Sequence, residues 1–63
     1  MDRIATILCK QIDDQLSLLR DSLSAGRAKD YAEYLRLCGE IRGLQTARQF
    51  ITVLNNQLEI EDE

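Results

Sequence analysis

The segment SAGRAKD, residues 24–30, is the one clear interruption in a 63-residue chain whose remaining stretches read as helix. Gly26 stands where a helix closes on a left-handed residue. Asp30, with Glu33 three positions later, forms the start signal of a second helix, with Asp in the usual Ser/Thr role of a capping box. Upstream, Ile4, Leu8, Ile12, Leu16, Leu19 and Leu23 recur at helical spacing, with Asp2 as the N-cap. This predicts a first helix over about residues 3–24. Downstream, no proline interrupts the chain, which predicts a second helix over about 31–57. A connection this short between long helices makes them antiparallel. The expected fold is all-α, a two-helix hairpin with arms of about 33 and 40 Å.

A chain this short forms one domain and buries little on its own. It is expected to be completed by oligomerisation or by a partner. Net charge is −3, but Glu59, Glu61, Asp62 and Glu63 lie together at the C-terminus. The body without them carries eight basic and seven acidic side chains, no electrostatic footprint for nucleic acid. Residues 59–63 read as a frayed acidic tail. No apolar run approaches the length of a membrane span, and the N-terminal run is too short for a secretory signal. The expected site of synthesis is the cytoplasm, with Cys9 and Cys38 reduced.

The second helix poses the main question, because it carries two apolar stripes. Gly39, Gly43, Ala47, Phe50 and Leu54 share one side. Leu37, Ile41, Leu44 and Ile51 share another, extended by Tyr34 and Leu58. A glycine inside a helix costs about 1 kcal/mol relative to alanine, so two of them one turn apart need a reason. A hairpin turning near residue 27 or 28 pairs residues whose numbers sum to about 55. Leu16 then faces Gly39, Ile12 faces Gly43 and Leu8 faces Ala47, large against small. On that reading the small residues are packing notches for the first helix; the alternative is that they receive a partner's helix. Tyr34, Leu37, Ile41, Leu44 and Ile51 would then form the partner-binding strip, covered by another protein or by a second copy in a four-helix bundle.

Chemistry is sparse. The chain has no histidine, and its two cysteines form neither a CxxC pair nor a zinc constellation. Both cysteines are expected to be buried or half-buried fillers, too far apart for a disulfide. Asp13 and Asp14 are adjacent and point to different sides of a helix, which is no catalytic dyad. No enzyme, metal, cofactor or small-molecule substrate is expected. Tyr31 and Tyr34 either close the loop end of the hairpin or anchor an interface.

The stretch DYAEYLRLCGEIRGLQTARQFI, residues 30–51, resembles small helical proteins encoded among the head and tail assembly genes of tailed bacteriophages, especially short-tailed ones. The resemblance rests on Asp30, Tyr31, Glu33, Tyr34, Gly39, Ile41, Gly43 and Leu44. It implies a virion or morphogenesis component that docks on the capsid shell or portal as a cement, cap or adaptor. Such a protein would be found in the host cytoplasm during assembly and then in the virion. The alternatives from the residues alone are a small regulatory binder of a host protein and a self-associating four-helix-bundle adaptor.

Overall fold

The computed structural model describes residues 2–61. Two helices, α1 (Arg3–Ser24) and α2 (Tyr31–Glu61), pack against each other as an antiparallel hairpin. The molecule is a rod of 51 × 16 × 12 Å. Its radius of gyration is 14.9 Å, whereas a compact chain of this length would have about 10.6 Å.

Each helix end is closed by the expected chemistry. The Asp2 carboxylate accepts from the Ile4 amide at 2.7 Å, which caps α1. At the other end the Gly26 amide bonds the Leu23 carbonyl and the Arg27 amide bonds the Ser22 carbonyl, both at 3.1 Å. This is a Schellman closure, and it needs the positive φ of 68° that Gly26 adopts without strain. The Asp30 carboxylate caps α2 by accepting from the Glu33 amide at 2.8 Å. Glu33 reaches back one residue further than a regular capping box, accepting from the Lys29 amide at 3.2 Å. Helix α2 also runs past residue 57 to Glu61, so residues 59–61 are helical rather than frayed. Asn55 donates to Glu59 one turn on at 3.1 Å, and no breaker follows. Residues 62 and 63 of the expected tail lie outside the described residues.

The seam between the helices differs from the sequence expectation on both sides. On α1, Ala5, Cys9, Leu16 and Leu19 are buried, with Ile12 and Leu23 half-buried. Ile4 and Leu8, expected in the stripe, are 69% and 41% exposed. On α2, Leu37 is buried and Ile41, Leu44 and Ile51 are half-buried. Arg48 and Asn55 complete the same stripe. The Arg48 guanidinium donates to both Asp13 carboxylate oxygens, at 2.8 and 3.2 Å. Asn55, 5% exposed, accepts from the Asp2 amide at 3.1 Å. The bonded pairs have residue numbers summing to 57 and 61, beyond the expected 55. Both seams repeat in alternating steps of three and four, the signature of a two-stranded coiled coil.

The physical reason for this choice of stripe is area. Burying a leucine or isoleucine contributes about 1.5–3 kcal/mol, and a glycine in the same place contributes almost nothing. A single rod therefore settles on the large-residue stripe of α2, and the two cross-helix polar pairs fix its rotation.

Candidate interaction surfaces

Turning Leu37, Ile41, Leu44 and Ile51 toward α1 leaves the other stripe of α2 in solvent. Gly39 and Gly43 are exposed, and a Cβ built on either meets nothing within 4 Å. They are therefore not notches for Leu8, Ile12 and Leu16; Ala47, the third member of that row, is half-buried. In line with the glycines, Leu35, Phe50, Val53 and Leu54 are exposed, Phe50 to 68%. This outward side spans residues 35–54, about 29 Å of helix. Arg36, eighteen residues before Leu54 and so in phase with it, lies on this side, with Glu40 and Arg42 on its two borders. Arg36 bridges Glu40 and, at 3.7 Å, Glu33. Helix α1 is more one-sided by contrast, its outward face carrying the Lys10–Asp14 ion pair at 2.9 Å beside exposed Ile7 and Leu18.

A second apolar surface lies where the chain termini meet. An open cavity of ≈ 170 Å³ runs between the start of α1 and the end of α2. Ile4, Ala5 and Leu8 line one wall; Ile51, Leu54 and Leu58 line the other, with Asp2 and Asn55 at its polar edge. The exposure of Ile4 and Leu8 is what forms this groove. Had they entered the seam in place of Ala5 and Cys9, their side chains would close it. Of the expected partner strip, Ile51 reaches this groove and Tyr34 is exposed at the loop end, while Leu37, Ile41 and Leu44 turn into the seam.

The loop end carries the tyrosines. Tyr31 and Tyr34 stack with ring centroids 6.1 Å apart and planes inclined by 19°. Both are exposed, so the pair extends the surface rather than closing a core. A side-chain hydrogen bond with Cys38, one turn on, is the main cause that raises the Tyr34 phenol pKa above its usual value. Cys38 is half-buried and Cys9 buried, both free, in keeping with a filling role.

Among the described residues no group of three or more His, Cys, Asp and Glu side chains is placed to hold a metal ion. No described helix is long and apolar enough to cross a membrane. An ion pair between Asp13 and Arg48 joins the two helices. The Arg48 hydrogen bond holds the Asp13 carboxyl below its usual pKa, and Asp13 in turn raises Arg48. That geometry clamps the seam and presents no reacting group to a cleft.

The structure thus presents the outward stripe of α2 and the terminal groove, while the expected strip is divided among seam, groove and the exposed loop end. Arg48 and Asn55 were the signal for the seam. They stand seven residues apart, in phase with Leu37, Ile41, Leu44 and Ile51. Asparagine at such a position sets register in coiled coils. The exposed apolar residues of an extended two-helix hairpin point to association with a protein partner or an oligomer. Comparison with protein-family models, with curated proteins and with solved structures finds no match.

Proposed function

We propose that the chain is a non-enzymatic docking module. It attaches through its apolar surfaces to a protein of a larger assembly, and it works by burial and shape rather than by chemistry. The observation that carries this reading is the terminal groove, an apolar recess between two helices whose walls are Ile4, Leu8, Ile51, Leu54 and Leu58. A recess of that size accepts one or two large apolar side chains from a partner. Each would contribute about 1.5–3 kcal/mol on burial, before ordering costs.

The resemblance of residues 30–51 to phage morphogenesis proteins supplies the partner class, a head component such as the capsid shell or portal. A rod 51 Å long with a binding recess at one end suits a cement, cap or adaptor set in many copies on equivalent sites. The chain would meet its partner in the host cytoplasm during assembly and stay with the particle.

The test is co-fractionation of the chain with purified phage particles, for the wild type and for Leu8→Asp and Leu58→Asp. Both residues are partly exposed in the groove, so both variants should keep their helix content. The expected result is fixed stoichiometry for the wild type and loss of association for both variants. A chain absent from particles but held in a soluble one-to-one complex with a host protein would replace this reading with that of a regulatory binder.

A further inference from the structure

We propose that the outward side of α2 is covered by α2 of a second copy running antiparallel, with the two-fold axis passing between Thr46 and Ala47. This rests on the reading of the chain as an association module and names one of its partners as itself.

Three observations lead to this occupant. The first is area. The chain exposes 5005 Å², whereas a compact monomer of 7.2 kDa would expose about 4,100 Å². The excess, roughly 900 Å² summed over the whole rod, is of the order of the ~800 Å² that each partner contributes to a stable interface.

The second is shape. About an axis between Thr46 and Ala47, Phe50 of one copy falls opposite Gly43 of the other, and Leu54 falls opposite Gly39. The two-fold operation repeats both matches, so each large exposed side chain of one copy enters the space left by a glycine of the other. That space is real, because a Cβ at either glycine meets nothing within the hairpin. Glycine is the weakest helix former after proline, and on an exposed helix face it has no intrachain role. A neighbouring helix at close approach gives it one.

The third is charge. A parallel pair would set the end of α2, with Glu59 and Glu61, beside its own copy. An antiparallel pair separates the two ends by most of the length of α2. Arg42, on the border of the face, lies opposite residue 51 of the other copy, about 13 Å along the axis from its own equivalent. Arg36, on the face itself, falls opposite Gln57, so neither arginine meets its own equivalent.

The pairing covers Leu54, which also belongs to one groove wall, and leaves Ile4, Leu8 and Leu58 of each terminal groove open, so self-association and docking share that residue alone.

The experiment is sedimentation equilibrium with circular dichroism over a concentration series for the wild type, Gly43→Phe, Phe50→Gly and the double variant. The wild type is expected to be a dimer. Either single change should weaken it by at least about tenfold. The double variant should recover dimerisation and helix content, because the large residue again faces a glycine across the axis. Recovery distinguishes this contact from general stickiness, and it reads correctly even if the single variants lose helicity. A wild type that stays monomeric overturns the proposal; so does a dimer indifferent to Gly43→Phe, or a double variant as weak as its weaker parent. A monomer that still associates with particles through the groove would refute self-association and leave docking standing. A normal dimer that ignores particles would do the reverse.

Discussion

The two sides of α2 share a spacing and differ in what covers them. On the inner side Leu37, Ile41, Leu44 and Ile51 meet α1, with Arg48 and Asn55 bonded to Asp13 and Asp2. On the outer side Leu35, Phe50, Val53 and Leu54 stand in solvent around two glycines. The difference teaches that periodicity alone does not choose a helix's inner face. Buried area chooses it, and polar pairs lock the choice. The inner side is the hairpin's own fold; the outer side is apolar surface that the hairpin leaves uncovered.

The comparison can be broken most forcefully at the seam. Leu16 is 4% exposed, and Leu16→Ala should cost about 2–5 kcal/mol, enough to unfold so small a chain. Loss of far-ultraviolet circular dichroism and of the thermal transition would register it; near-wild-type melting would mean that α1 does not pack through Leu16.

Asn55→Ala removes the cross-helix bond to the Asp2 amide and should destabilise by about 0.5–1.5 kcal/mol. Asn55→Leu should instead raise the melting temperature while loosening register, seen as broadened amide resonances. A drop in melting temperature with Asn55→Leu would contradict the role given to this residue.

Gly43→Ala sharpens the outer side by sign. In a chain too dilute to associate it should stabilise the helix by about 0.4–1 kcal/mol, since its Cβ meets open space. At concentrations where copies pair, the same change should weaken association. Destabilisation at high dilution would place Gly43 inside the hairpin after all.

The smallest effect is electrostatic. The Arg48 hydrogen bond holds the Asp13 pKa below its usual carboxylate value, so this pair stabilises the fold above the unfolded value. The contribution should fade as pH falls through the lowered folded pKa. Asp13→Asn should lower the melting temperature slightly at neutral pH and make no difference at strongly acid pH. An equal difference at both would remove the pair from the seam.

Most of the fold was legible in the sequence. Asp2, Gly26 and Asp30 are local signals whose chemistry acts within a few residues, and all three cap or close a helix as read. The inner face of α1 was less legible at its start, because Ala5 and Cys9 carry little hydropathy while Ile4 and Leu8 draw the eye to the neighbouring row. The small residues belong in the seam because the polar pair Asp2–Asn55 brings the helices together there. The candidate surface was misassigned for a related reason. A match of large against small residues fits the glycines equally well to α1 or to an external helix, and sequence spacing does not say which. The groove was invisible, because it exists only once two residues expected inside turn out to be exposed.

The central claim, that α2 turns one apolar side inward and leaves the other for association, is tested most directly by placing one charge on each side. Ile41→Asp and Phe50→Asp should be compared by circular dichroism and sedimentation under the same conditions. The predicted result is that Ile41→Asp loses helix content, while Phe50→Asp keeps the dilute-chain helix content and loses self-association. The contradictory result is the exchange, a helical but non-associating Ile41→Asp beside a disordered Phe50→Asp, which would return the glycine stripe to α1.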